Sequence, residues 1–391
     1  MESTAPRLPI YLDNNATTPV DPRVLDAMFP YFTEMFGNAA SSGHAFGRAA
    51  RDAVERSRAS IARAINAASP KEIVFTSGAT ESDNLAIKGV VDALGGNGQN
   101  HVVTVQTEHK AVLDTCHRLE STGCAVTYLG VQSDGRIDLA SLADAITETT
   151  VLVSVMAGNN EIGVVQDIAA IGALCRTRRV LFHTDATQFV GKLPFDVRTM
   201  NVDLASMTAH KIYGPKGCGA LYVRTDRAVK LTAQVDGGGH ECGCRSGTLN
   251  VTGIVGLARA LELCAEEQPV EIERLTALRG RLLDGLRERI PGVTLNGHAS
   301  ERLPGHLSLS FEGISGQRLL SAIPQVALSS VSACSTGSAA PSHVLRALGL
   351  SDSQAASTVR FGIGRFNTEA EIDYTVERVA AEVSKQREGG G

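Results

Sequence analysis

Ser206-Met207-Thr208-Ala209-His210-Lys211-Ile212-Tyr213-Gly214-Pro215-Lys216-Gly217 is the stretch around which the rest of the chain is organised. It follows a short apolar run, residues 202–205, with the length and character of a buried strand. Gly214, Pro215, Gly217 and Gly219 then break the chain into a tight loop. Lys211 therefore falls on a loop directly after a strand. The Thr208 hydroxyl, three residues upstream, can reach an anion held by that loop. A lysine kept from water and near another cation can form a Schiff base with a carbonyl. Alone, the residue reads first as a surface lysine in a turn, so the weight rests on what the remaining chain supplies.

Working outward, strand-like runs at 72–76, 102–105, 126–129, 151–156 and 180–184 alternate with helical segments at 46–65, 83–93, 111–120, 139–145 and 168–175. Asp21 and Pro22 read as the N-cap and first residue of an earlier helix. This alternation predicts an α/β fold with a mostly parallel sheet between helices. Such sheets bind ligands outside the carboxyl ends of their strands. Gly78, Thr80, His109, Asn160, Asp185, Gln188 and Lys211 all fall at that edge. The turn at 77–82 is rich in small and hydroxyl residues and opens a helix, a setting that favours an anion, although it lacks the lysine of a P-loop.

Downstream come a strand at 221–223, a Gly/Cys-rich stretch at 237–248 and a long helical region at 251–289. Strand character resumes over 292–311, followed by a polar loop at 329–338, a helix at 343–348 and a strand at 358–361. A chain of 391 residues exceeds one ordinary core and implies two domains. The change of domain is expected in the long helix near 266–269. Residues 18–265 then form a large domain, and residues 1–17 with 266–391 a smaller α+β one.

Composition excludes several classes of function. The net charge of −5, with lysines and arginines scattered, leaves no nucleic-acid footprint. No apolar run approaches the ~20 residues that span a bilayer, and residues 1–9 hold no secretory apolar region. Eight cysteines without framework spacing fit reduced thiols in a cytosolic enzyme. His240, Cys242 and Cys244 match no standard zinc spacing, so no metal is expected.

A lysine that wants a carbonyl, an anion site at a helix start, an acid at a strand end and an imidazole nearby together describe a pyridoxal phosphate site. The segments YLDNNATTP, EIVFTSGATESDNLAIKG, TEHKAVLDTC, NNEIGVVQDI, TDATQFVGKLP, AHKIYGPKG, GGGHE with RSGTLNV, SSVSACS with VLRALG, and VRFGIGRF run from near residue 10 to near residue 375. With them the chain resembles a cysteine desulfurase of the NifS/IscS type, in the class V aminotransferase group of fold-type I pyridoxal phosphate enzymes.

The resemblance implies a seven-stranded sheet and a homodimer that turns L-cysteine into L-alanine. Sulfur would pass to Cys334 as a persulfide and then to an acceptor protein such as an iron-sulfur scaffold. It implies that Lys211 carries the cofactor and shuttles the substrate Cα proton, that Asp185 pairs with the ring nitrogen and Gln188 with the ring hydroxyl, and that His109 stacks on the ring. Ala79, Thr80, Thr208 and His210 would hold the phosphate, with Thr248 reaching it from the other subunit. Asn160, Arg360 and Asn14 would serve the substrate.

Read as residues alone, Asp185 reads first as an N-cap or half of a buried ion pair and His109 as a satisfied loop histidine, while Arg360 is equally a structural salt bridge and Thr248 can be only an N-cap. Cys334 differs, because Ser332, Ser335, Thr336, Gly337 and Ser338 around it suit an exposed nucleophile better than a core position. An aminotransferase or a cysteine/cystine lyase of the same fold would share Lys211 and Asp185 but need no such thiol. The chain departs from the family pattern at Ala39, where proline is common, and at Val331, where glycine is usual. Thr208 replaces a serine and keeps its hydroxyl.

Overall fold

The computed structural model describes residues 6–95, 100–227, 229–330 and 342–389. The strands are β1 (Ile10–Tyr11), β2 (Ile73–Thr76), β3 (His101–Val105), β4 (Ala125–Leu129), β5 (Thr150–Ser154), β6 (Leu181–Asp185), β7 (Leu204–Thr208), β8 (Gly219–Val223), β9 (Val293–Leu295), β10 (His306–Phe311), β11 (Val326–Ala327), β12 (Ser329–Ser330) and β13 (Thr358–Gly362). The α-helices are α1 (Pro22–Met28), α2 (Pro30–Thr33), α3 (Ala45–Ala64), α4 (Ala79–Leu94), α5 (Lys110–Glu120), α6 (Leu139–Ala145), α7 (Ile168–Arg178), α8 (Val251–Arg289), α9 (Gly316–Ala322), α10 (His343–Ala347), α11 (Asp352–Ala356) and α12 (Glu369–Glu388).

Seven strands form the central sheet in the order β2-β8-β7-β6-β5-β3-β4. Strands β3, β5 and β7 are buried throughout, as expected where helices cover both faces of a parallel sheet. The pairs β3·β4, β3·β5, β5·β6 and β6·β7 are parallel, whereas β8 runs antiparallel to both β7 and β2. The carboxyl ends of β2, β3, β5, β6 and β7 therefore share one edge. The residues between β7 and β8, including Lys211, make the return turn at that edge.

The 39-residue helix α8 joins two cores. Its first half packs on α1 and α3, and Cys264 is its last residue in the core beneath the large sheet. Leu278 is its first buried residue in a second core, shared with α12 and the antiparallel sheet β12-β13-β10-β9. Pro269 falls between them. The start of the chain belongs to this second core: Ile10 and Leu12 are buried in it and β1 pairs with β11.

Three expected elements have other bounds, and the 20-residue helix α12 is absent from the sequence expectation. Helix α4 begins at Ala79 rather than 83, because Gly78 can serve as the N-cap residue without any side chain. Strand β7 extends to Thr208, which places that hydroxyl at the strand end rather than in the loop. The expected strand character over 292–311 is divided into β9 and β10 by an irregular connection.

The stretch at 237–248 is anchored by a buried ion pair. Both Arg58 terminal nitrogens reach the Glu241 carboxylate, at 2.8 and 2.7 Å, and Glu241 also accepts from the Phe75 N–H at 2.7 Å. Arg58 lies over the Phe75 ring at 4.6 Å from its centroid. Glu241 and Cys242 hold left-handed backbone angles, φ 50° and 55°. Removing one partner of such a pair strands a buried charge. Glu241→Ala should therefore lower the unfolding free energy by about 3 kcal/mol, read from urea denaturation, and a loss below about 1 kcal/mol would show that the pair behaves as a surface one.

Candidate active site

Where strands β2, β6 and β7 end, a cavity of about 530 Å³ opens, lined among others by Ala79, Thr80, His109, Asn160, Asp185, Gln188, Thr208, His210 and Lys211. Most of the site residues read from the sequence thus meet in one place. Lys211 ends a short 3₁₀ turn, Ala209–Lys211. The turn is held from both sides. The Ala209 N–H donates to the Cys218 carbonyl at 3.0 Å, and the Gly214 N–H to the Ala209 carbonyl at 2.9 Å. Thr18 donates its N–H and hydroxyl to the His210 carbonyl, at 2.9 and 3.0 Å, and its hydroxyl accepts from the Tyr213 N–H at 2.8 Å. Tyr213 sits at φ 67°, and its phenol oxygen accepts from the Arg365 N–H at 2.6 Å. Gly214 is required, since a Cβ there would lie 2.8 Å from Ala209 Cβ. The Lys211 ammonium donates to the Asn15 and Ala16 carbonyls, both at 2.6 Å.

One wall of the cavity is built for an anion. The N-cap of α4 is Gly78, which offers no side-chain hydrogen bond to the first helical turn. Apart from the four-residue α2, every other α-helix among the described residues has a side-chain cap. The amides at the start of α4 are therefore left for a ligand. The Thr208 hydroxyl, 3.7 Å from where a Gly78 Cβ would stand, donates to the Cys218 carbonyl at 3.2 Å. His210 shares a hydrogen bond with the Thr17 hydroxyl at 3.1 Å. Burial, then the charges of Lys211, Lys216 and Lys192, push its pKa down to about 4. A neutral imidazole among three lysines marks this wall as cationic.

The other wall carries acids. Asp185 ends β6, is buried and accepts from the Thr187 N–H at 2.9 Å. The buried Thr187 hydroxyl beside it has no partner among the described residues. His109 caps α5, its Nδ1 accepting from the Ala111 N–H at 3.1 Å, so a neutral ring carries its proton on Nε2. Behind Asp185 lie Asp83 and Glu108. Burial, the Asp185 charge and, more weakly, Glu108 hold the Asp83 pKa well above the ordinary carboxylate range, with only the Ser206 hydroxyl opposing them. Burial and Asp185 do the same to Glu108, against the Met156 N–H that it accepts at 2.6 Å. His183 Nε2 stands 3.6 Å from Asp83 and 3.0 Å from the Ser206 hydroxyl, and burial lowers its pKa to about 3.

Three expected residues stand apart from this cavity. Arg360 is buried behind it, bonding the Asn160 carbonyl at 3.0 Å and Asp13 at 2.7 Å, with its Nε unpartnered among the described residues. The salt-bridge reading of Arg360 is thus realised, with one donor to spare. Asn14 is not brought in: its amide donates to the Gly362 carbonyl at 2.8 Å, while its neighbour Asn15 faces Lys211 and Gln188. Thr248 is exposed and does not line the cavity, and α8 is capped by Asn250 instead. Cys334 and Val331 lie outside the described residues. Sequence reading missed Asn15, Thr17, Lys216 and the buried Asp83, Glu108 and His183. Periodicity marks burial, and it carries no sign that a buried acid lies under a site.

The model of the family described as aminotransferase class-V matches residues 10–375. Cysteine desulfurase IscS of Anaeromyxobacter dehalogenans (strain 2CP-C) is 55% identical over 382 residues, covering 98% of this chain and 94% of that protein. Among solved structures, a NifS-like protein superposes with a TM-score of 0.90 at 37% identity, covering 96% of this chain and 99% of its own. SspA in complex with cysteine gives 0.82 at 36% identity, covering 92% and 100%.

The Asp83 geometry makes a pH prediction. Its folded-state pKa is raised, so above about pH 4 the unfolded chain loses a proton that the fold keeps, and stability falls as pH rises through that window. Asp83→Asn keeps the shape of the neutral acid and removes the titration. It should match the parent near pH 4 and exceed it by about 1 kcal/mol or more at pH 7, measured by urea unfolding at both pH values. A variant less stable than the parent at pH 7 would show that Asp83 works there as a carboxylate.

Proposed function

The chain belongs to the aminotransferase class-V family and, within it, to the cysteine desulfurases of the IscS type, and on that premise we propose how its residues divide the work. The activity is pyridoxal phosphate-dependent: the enzyme acts on cysteine and transfers its sulfur to an acceptor. When bound, the cofactor supplies an electron sink for charge that develops on the substrate carbons.

The cavity fits this cofactor at three points. The side-chain-free start of α4, with Ala79, Thr80, Thr208 and His210 beside it, suits the phosphate. The Thr187 hydroxyl, without a partner among the described residues, and the Asp185 carboxylate suit a heteroaromatic ring with a basic nitrogen. The Lys211 amine lies on the same cavity, in reach of an aldehyde.

In this reading Lys211 Nζ holds the cofactor and later carries the substrate Cα proton. When the cofactor is bound, Asp185 would hold the ring nitrogen, His109 the ring face and Gln188 the ring hydroxyl. Arg360, with its spare Nε, and Asn160 receive the substrate carboxylate. The Cys334 thiolate bonds to the substrate sulfur as the carbon–sulfur bond breaks; the thiol becomes a persulfide, and the carbon that loses sulfur takes a proton to give alanine. Asn14 acts only by holding the Gly362 strand end against the N-terminal segment. Thr248 completes the phosphate site of a homodimer partner, the acceptor is a protein such as an iron-sulfur scaffold, and the setting is cytoplasmic. The two cores correspond to domains of residues 18–265 and of 1–17 with 266–391.

The observation that carries this reading is the meeting of the Lys211 amine, the Asp185 carboxylate and a helix start without a side-chain cap in one cavity. The purified protein should be yellow, and borohydride should fix the cofactor to Lys211. Cys334→Ala should keep the colour and lose alanine formation by about a hundredfold or more. Pyruvate in place of alanine, or undiminished alanine from Cys334→Ala, would favour a lyase of the same fold.

A further inference from the structure

Lys192, bonded to Gln188 beside the site, is a reactive side chain that the mechanism leaves unused. It is partly exposed as a residue, but its ammonium is enclosed by protein. The chain that carries it cannot retreat: Gly191 has φ 77°, and a Cβ there would meet Ile212 at 2.9 Å and Cys264 at 3.2 Å. Lys192 Nζ donates to Gln188 Oε1 at 2.6 Å, an oxygen that also accepts from Asn15 Nδ2 at 3.1 Å. Gln188 Nε2 donates to the Asn15 carbonyl at 2.8 Å, and that same carbonyl accepts from Lys211 Nζ at 2.6 Å. Gln188 and Asn15 thus bridge two lysines.

The groups facing Lys192 offer it little negative charge. Lys211 and His210 come from the turn after β7, Tyr213 from the loop beyond it, His306 from β10 and Arg360 from β13, the last already paired with Asp13. Helix α8 contributes Cys264 and Glu271, and the Glu271 carboxylate is taken by Arg365 at 3.0 and 3.2 Å. Both histidines have lowered pKa values and are neutral near pH 7. Burial first, and Lys211 second, bring Lys192 down to about 7.

We propose that Lys192 is a positioning residue for Lys211: it locks the Gln188 amide in one orientation, and its charge favours the neutral amine that Lys211 needs to capture the cofactor aldehyde. This rests on the reading of Lys211 given above. The capture bonds the amine nitrogen to the aldehyde carbon with loss of water, and only an unprotonated nitrogen has the electron pair for it. Two ammonium groups tied through one bridge repel each other, so a proton leaves the pair more readily than it would leave Lys211 alone.

The test uses protein stripped of cofactor and follows the rate of pyridoxal phosphate uptake by visible absorbance across about pH 6 to 9. Lys192→Met should move the midpoint of the pH profile upward by about one unit, a loss of roughly tenfold at pH 7. Lys192→Arg, which keeps the donor and stays charged throughout, should leave the midpoint no higher than the parent's. A second readout needs no cofactor. Lys192 has a depressed folded-state pKa, so the unfolded chain binds more protons between about pH 7 and 10, and parent stability should rise with pH across that window. Lys192→Met should lack that rise. If the Met variant does not fold, Lys192→Gln takes its place in both measurements. An unmoved uptake midpoint on removal of the charge, or an Arg profile displaced upward as far as the Met one, overturns the proposal. A parent protein that takes up no cofactor at any pH overturns the underlying reading of Lys211 instead.

Discussion

A clamp between residues 15–18 and residues 208–213 holds the site together. Thr18 ties His210 and Tyr213, and the Asn15 and Ala16 carbonyls receive the Lys211 ammonium. The N-terminal segment is itself fixed to the second core, through β1 on β11 and Asp13 on Gly362. The lysine loop is therefore positioned by strand β7 on one side and by a distant core on the other. Neither a strand end nor a surface loop alone would hold a flexible four-carbon side chain in one place. Arg365 reinforces the junction, stacking on Tyr213 at 4.3 Å and pairing with Asp21 and Glu271.

Charge is segregated along the cavity. The wall at the start of α4 gathers cations and unused amides, and the wall at the end of β6 gathers acids. Buried charges of one sign are costly, and this chain relieves the cost differently at the two ends. On the acid side, burial and the Asp185 charge push the Asp83 and Glu108 pKa values well up, which favours their neutral forms behind Asp185. On the cationic side, the His210 pKa is brought down to about 4 and that of Lys192 to about 7. An elongated ligand with an anionic group at one end and a protonatable nitrogen at the other matches both walls.

The glycines of the site act through absence of a side chain. Gly78 leaves the first turn of α4 without a cap, a local instability that a bound anion relieves. Gly219 lets β8 cross behind that turn, since a Cβ there would stand 2.6 Å from Gly78 Cα. The antiparallel β8 and the open helix start are thus two sides of one close contact.

Much of this was legible in the chain itself. Alternating apolar strands and amphipathic helices determined an α/β sheet, and the polar residues that end those runs, Asp185, Gln188 and Lys211 among them, marked its functional edge. Alternation survives because burial imposes a period on every element, whatever its partners. Only tertiary structure decided which of two adjacent asparagines would bond Lys211 and Gln188, Asn15 rather than Asn14. It alone tied a second lysine to the first through Gln188 and Asn15 and put two buried acids with raised pKa values behind Asp185. It also decided that Gly78, not a residue four positions later, would open α4. These outcomes depend on contacts between segments far apart in the chain, and a residue's own sequence neighbourhood holds no record of which distant group will face it.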